Sequence, residues 1–177
     1  MSLLSYVELV ELVDAGVIQG VERSAINAAS IDVRLGMDFK FESPSVSSHI
    51  VDLSERQSIA FTDGKDRAVL APQEFILAHT LETFILPLDI SAAFCLKSSI
   101  ARNGLEHLNA CWADAGWEYS TLTMELKNMT RYHTLMIKSG MYIGQMKFFR
   151  HTEVPEEHSY RVRGRYNGDA SVSTIKP

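Results

Sequence analysis

Glu125 is a carboxyl on the polar face of the candidate strand that matters most in this chain. It lies in Thr121-Leu122-Thr123-Met124-Glu125-Leu126-Lys127, where strand alternation sends Leu122, Met124 and Leu126 to one face. Thr121, Thr123, Glu125 and Lys127 then share the other. For a lone carboxyl on a polar strand face, simple hydration is the usual outcome. A second constellation is Lys97-Ser98-Ser99-Ile100-Ala101-Arg102-Asn103-Gly104. Ser98 or Ser99 can cap a short helical stretch that Gly104 ends, and the free N–H groups, two hydroxyls and Lys97 would cradle phosphate. A plain surface turn fits the same residues. A third is Asn109-Ala110-Cys111-Trp112-Ala113-Asp114-Ala115-Gly116-Trp117, where aromatics beside an acid and a glycine suit either a stacked nucleobase or core packing at a turn. A fourth is Arg161, Arg163, Arg165 and Tyr166, followed by Gly168 and Asp169. These arginines could hold polyphosphate or form a solvated basic tail.

Metal chemistry finds little support. No C-x-x-C pair occurs, and His107 and Cys111 stand four apart in a stretch without helical character. They read as a satisfied polar histidine and a buried cysteine, and no zinc site is expected.

The elements that must position these residues are mostly short strands. Only Tyr6–Ala15 reads as a substantial helix, opened by a Ser5-x-x-Glu8 capping box with Leu4 and Leu9 as a staple and closed at Gly16. Strands are expected at Ile31–Leu35, Phe39–Phe41, Phe75–Thr80, Ala93–Lys97, Thr121–Leu126, Thr134–Ile137 and Met141–Phe149. Polar Ser43–Ser48 and a Thr62–Arg67 loop, with Asp63-Gly64 as its tight turn, separate some of them. Many short strands imply a barrel or sandwich rather than a parallel sheet with crossover helices.

Composition narrows the class. The chain has 177 residues, 46% hydrophobic and 22% charged, with net charge −5, which suits one folded domain over 1–177. The acidic balance argues against a dedicated nucleic-acid binder. No apolar run is long enough to span a membrane, and Met1–Leu9 lacks the basic start of a signal peptide. Two cysteines make no disulfide framework, so a reduced, cytoplasmic protein is expected.

Six segments in order resemble the dCTP deaminases, the metal-independent branch of the trimeric dUTPase-like superfamily. Ser30-Ile31-Asp32-Val33-Arg34-Leu35-Gly36 is similar to T-[IV]-D-[LV]-R-L-G, and Leu81-Glu82-Thr83-Phe84-Ile85-Leu86-Pro87 to T-x-E-x-[IV]-x-L-P. Lys97–Gly104 resembles [RK]-S-S-[LIW]-A-R-x-G, and Asp114-Ala115-Gly116-Trp117 resembles D-[PA]-G-[WF]. Thr121–Asn128 is similar to [LIV]-x-[LF]-E-[LF]-x-N, and Gly164-Arg165-Tyr166-Asn167-Gly168 to [KR]-Y-x-G.

The resemblance implies a mainly β, distorted barrel or jelly roll with an N-terminal helix and short helical segments, assembled as a homotrimer with sites between subunits. It implies zinc-independent deamination of dCTP to dUTP and ammonia, with Glu125 as general acid and base. Ser98 and the Ala110 carbonyl would position the water and Arg102 would orient them. Lys97 and Ser99 would face phosphate, and Asp114, Trp117, Tyr160, Arg165 and Tyr166 would meet the nucleotide. Residues 156–177 would close over the site, and Mg²⁺ would arrive with the triphosphate. A dUTP pyrophosphatase, a bifunctional enzyme and a non-catalytic nucleotide-binding regulator are the alternatives. Departures are concentrated in two places. Asn109-Ala110-Cys111-Trp112-Ala113-Asp114 replaces T-A-H-R-[IV]-D, a loop that in relatives takes part in dTTP inhibition, and Asp169 replaces a glutamine. The longer Asp114-to-Glu125 spacing implies a bulge.

Overall fold

Glu8 accepts hydrogen bonds from the Ser5 N–H at 2.9 Å and from its hydroxyl at 2.8 Å, which starts the helix Tyr6–Asp14. Leu4 and Leu9 are both fully buried beside this start. In this computed structural model the described residues are 1–44 and 50–176. Most of the polar Ser43–Ser48 stretch therefore lies outside the described residues.

Beyond the helix the protein is mainly β. One antiparallel sheet runs Ser2–Leu3, Tyr142–Arg150, Ile90–Leu96, Trp112–Ala113, with Ile31–Arg34 also paired to Tyr142–Arg150. A second runs Leu105–His107, Thr123–Asn128, Phe75–His79, Asp38–Glu42, Phe61–Lys65. Their inward residues, among them Val33, Phe94, Met146 and Phe148 from the first and Phe39, Ile76, Met124 and Leu126 from the second, form one buried cluster. Burial of such apolar surface is the main favourable term in holding the sheets together. A small sheet of Glu118–Ser120, Thr83–Ile85 and Ile18–Gln19, and a ribbon of Leu135–Lys138 with Arg67–Leu70, complete the strands. Among the described residues no helix is long and apolar enough to cross a membrane.

Asp63-Gly64 does not form the expected turn. Both residues lie within Phe61–Lys65, with Gly64 opposite Phe39, and the chain bends instead at Asp66, whose φ is 66°. Packing accounts for the glycine: a Cβ at Gly64 would run into the Phe41 ring. The expected bulge is present as a register shift between Glu118 and Ser120, with Tyr119 at φ 52°.

The C-terminal segment is folded back onto the second half of the chain. The Thr121 N–H donates to the Asp169 carbonyl at 2.8 Å and the Gly168 N–H to that of Glu118 at 3.1 Å, while Val172 is buried. The arginines do not alternate as a strand would, because Tyr160–Arg163 is a helical turn. Arg161 already meets two carboxylates, Glu118 and Glu156, each at 3.1 Å.

Candidate active site

Strand alternation sets the direction of Glu125. Thr123–Asn128 alternates half-buried and buried residues, with Met124 and Leu126 in the core and Glu125 on the opposite face. Register places Glu125 opposite Leu77 on one side, and His107 opposite Leu126 on the other. Glu125 then opens onto a cavity of about 490 Å³. Ala110, Trp112, Trp117, Tyr160 and Tyr166 also line it, and Ser173, Thr174 and Ile175 of the C-terminal segment form one wall. This volume falls in the range of about 300–1,000 Å³ typical of small-ligand sites.

Several expected residues meet at this cavity. Ala110 follows Asn109, whose φ of 63° lets the loop turn sharply after the Leu105–His107 strand. Trp117 lines the wall but is only 5% exposed and stacks on Phe84, with ring centroids 5.4 Å apart. Its indole N–H donates to the Tyr166 carbonyl at 3.1 Å. It is therefore both a core aromatic and an anchor for the tail. Tyr160 is held by its N–H donating to the Ala115 carbonyl at 2.9 Å, and burial pushes its phenol above the usual tyrosine range.

The charges that one chain brings to the cavity are few. Among the described residues, Glu125 and Asp169 are its only acidic lining residues, and no Lys or Arg belongs to the lining. Asp169, the departure from the glutamine of the resembled motif, is paired with Lys176. The Lys176 ammonium also lies over the Tyr166 ring, 5.2 Å from its centroid. The tail thus carries the neutralising cation for its own acid.

Lys97, Ser98, Ser99 and Arg102 are absent from that lining. Lys97, rather than either serine, occupies the N-cap of the helical turn Ser98–Ala101, without a side-chain cap, because the serines already have helical backbone. Gly104, at φ 85°, ends the segment as expected. Ser98, Ser99 and Arg102 are exposed. Lys97 is paired with Asp32, which also accepts from Asn27 at 2.9 Å and Gln145 at 3.0 Å. Burial opposes ionisation of Asp32, but these hydrogen bonds outweigh it and hold the carboxyl below its ordinary range. Arg165 is exposed, and its carbonyl accepts from Lys176 at 3.1 Å. Asp114 is outside the main cavity too. It lines a neighbouring one of about 400 Å³ with Arg163 and His158, and accepts from the Trp112 indole at 2.7 Å.

His107 is the residue that sequence reasoning misjudged. It is 4% exposed, yet its Nε2 has no hydrogen bond of good geometry and faces Glu125 Oε2 at 3.3 Å. The expectation of a satisfied histidine fails at Nε2: register pairs His107 with Leu126 of the core face, yet its ring, at the last residue of a short strand, reaches the Glu125 carboxyl. Alternation through Leu105–His107 would have been the signal, but three residues are too few to display it.

A second histidine ties the tail to the sheet. His79 is 6% exposed; its Nε2 accepts from the Asp38 N–H at 3.3 Å and its Nδ1 meets the Thr121 hydroxyl at 3.3 Å. That hydroxyl donates to the Asp169 carbonyl at 3.2 Å, and Ser171 donates to the Asp38 carboxylate at 2.8 Å. Burial pushes His79 below the usual histidine range, although Asp38 opposes this. The unfolded chain therefore takes up this proton first. Stability is complete above about pH 6.5 and falls as pH drops through it. The unfolding midpoint should be a few degrees lower at pH 5.5 than at pH 7.5, and His79→Asn should shrink that difference. An unchanged difference in the variant would remove His79 from the account.

Residues 3–151 match the family model described as dCTP deaminase-like. The chain is 36% identical over 177 residues to a Nocardioides sp. protein named dCTP deaminase, dUMP-forming, covering 94% of this chain and 90% of that one. It is 34% identical over 149 residues to the protein of the same name from Methanoculleus marisnigri, covering 82% and 78%. Among solved structures, the 2'-deoxycytidine 5'-triphosphate deaminase of Agrobacterium tumefaciens superposes with a TM-score of 0.65 at 21% identity. That match covers 82% of this chain but 48% of the other, so this chain spans about half its length. The dUTPase of Streptococcus mutans gives a TM-score of 0.50 at 16% identity, covering 76% and 88%. At these identities the two structures speak for the fold alone.

Proposed function

Because this chain belongs to the dCTP deaminase family, built on a dUTPase-like fold, we propose that it hydrolyses the C4 amino group of dCTP to ammonia. The dUMP-forming name of its relatives favours the bifunctional form, in which dUTP is then cleaved to dUMP and pyrophosphate. The observation that carries the deaminase reading is the Glu125 carboxyl on the wall of a largely apolar cavity of about 490 Å³. A pyrimidine suits such a pocket, and a single partly desolvated carboxyl is the group its hydrolysis needs.

In the proposed mechanism Glu125 takes a proton from water as the oxygen bonds to C4, and N3 receives a proton. Glu125 then takes the proton of the new C4 hydroxyl and passes it to the amine, and the C4–N4 bond breaks to leave the uracil carbonyl and ammonia. Ser98 and the Ala110 carbonyl hold the water, and Arg102 orients them. Lys97 and Ser99 meet the phosphates; Asp114, Trp117, Tyr160, Arg165 and Tyr166 enclose the nucleotide, with residues 156–177 as the closing segment of a single 1–177 domain. Among the described residues no three His, Cys, Asp or Glu side chains cluster as a cage for an ion. Mg²⁺ would come as part of the substrate, carried on its phosphates.

With Lys176 already taken up by Asp169, a tetra-anion beside Glu125 needs a further cation, and the described lining of the cavity supplies none. Arg102 on the exposed Ser98–Arg102 turn of another copy would supply one, which supports sites shared between the subunits of the proposed homotrimer. The reading is tested with dCTP, dCMP, CTP and dUTP, measuring ammonia and pyrophosphate separately. The expected result is both products from dCTP and pyrophosphate from dUTP. Binding without any turnover would instead favour the regulator, and pyrophosphate from dUTP without ammonia from dCTP a simple pyrophosphatase.

A further inference from the structure

A carboxyl that shuttles protons works with least rearrangement when the same oxygen faces the substrate throughout the cycle. A free carboxyl does not, since rotation about its last bond exchanges the two oxygens and protonation can fall on either. Glu125 Oε2 is buried without a good hydrogen bond, so the remaining 27% exposure of the side chain belongs to its other atoms. The group facing Oε2 is His107 Nε2 at 3.3 Å, itself buried and equally without another partner. Two orphaned polar atoms that face only each other are costly unless they share a proton. The Phe94 ring meets the imidazole edge-on at 4.9 Å and helps to fix its plane. The neighbouring Glu106 carboxylate is turned to the His107 backbone N–H at 3.0 Å, so it does not compete at the ring.

We propose that His107 is a positioning residue that clamps Oε2 of Glu125 through its Nε2–H and so reserves Oε1 for the water and the pyrimidine. When Oε1 takes a proton from water, Oε2 remains the acceptor of the imidazole N–H, and the new proton stays on the cavity side. When Oε1 gives that proton up, the same N–H stabilises the carboxylate that results. No proton leaves His107 in this cycle, and the atom balance of the hydrolysis is unchanged. The clamp rests on the deaminase reading for its catalytic role, but its geometry does not.

The test compares wild type with His107→Phe, which fills the space without a donor, and His107→Gln, which keeps an N–H. His107→Phe should lower kcat for ammonia release by about 10²-fold with KM for dCTP within about threefold. Loss of the donor disfavours the carboxylate, so the acid limb of its kcat profile should move to higher pH. His107→Gln should recover most of kcat and of the profile. Unchanged kcat in His107→Phe, or an equal loss in both variants with the profile unmoved, would overturn the clamp in favour of simple packing. Absence of ammonia release by wild type would sink the deaminase reading instead. The imidazole ¹⁵N resonances then still decide the clamp: Glu125→Gln should shift His107 Nε2, and an unmoved signal overturns it whatever the activity.

Discussion

Glu125→Gln is expected to lower ammonia release from dCTP by about 10²–10⁴-fold while dCTP binding changes by no more than about threefold. The amide has nearly the shape of the carboxyl, so Thr123–Asn128 keeps its pairing with Phe75–His79 and the buried face of Met124 and Leu126 is untouched. What the variant lacks is the ability to accept a proton from water and return it to N3 and the departing amine. The loss should therefore sit in kcat, as for a group whose interaction is made in the transition state. Any pyrophosphate release from dUTP should be largely spared, because the attack at phosphorus does not use the base-side carboxyl. Ammonia release near the wild-type rate would end the assignment of Glu125.

Mixing two inactive chains should restore activity. Arg102→Ala removes the group assigned to orient the water and Glu125→Gln removes the proton shuttle, and each is expected to be nearly inactive alone. If each site takes Glu125 from one subunit and the Ser98–Arg102 turn from the next, random mixed trimers contain sites in which both groups are intact. One chain in two carries each intact group, so about a quarter of wild-type activity should return in a symmetric, randomly mixed ring. The physical ground is the separation already seen: Arg102 is exposed and outside the lining of the Glu125 cavity. Verified mixed oligomers without recovered ammonia release would show that one chain supplies both groups.

The long elements were legible in the sequence because each repeats its pattern often enough to be seen. The capping box at Ser5 and Glu8 announces the helix Tyr6–Asp14, and the alternation around Glu125 gives its face correctly. The strands Trp112–Ala113, Glu118–Ser120 and Leu105–His107 were not visible, since two or three residues show no period. They are set by pairing with Ala92 and Ala93, with Phe84 and Ile85, and with the Glu125 strand, all distant in sequence. That is why His107 was misread. Asp63-Gly64 misled for the opposite reason, a local turn signal overridden by the packing of Phe41. The pairing of Asp169 with Lys176 was likewise hidden, because the intervening chain gives no sign that it folds back.

The sheet that joins Ser2 to Arg150 also orders events in time. The N-terminal strand waits for a partner made almost 150 residues later. At about 5–20 residues per second that is on the order of ten seconds of synthesis. The sheet that carries Glu125 needs only residues 38–128 and can zip earlier. Leu4 and Leu9, fully buried at the end, belong to a segment whose cover strand has not yet been translated. The nascent chain therefore offers a greasy helix to its surroundings long before the last strand closes over it, and synthesis rate becomes part of how this enzyme reaches its fold.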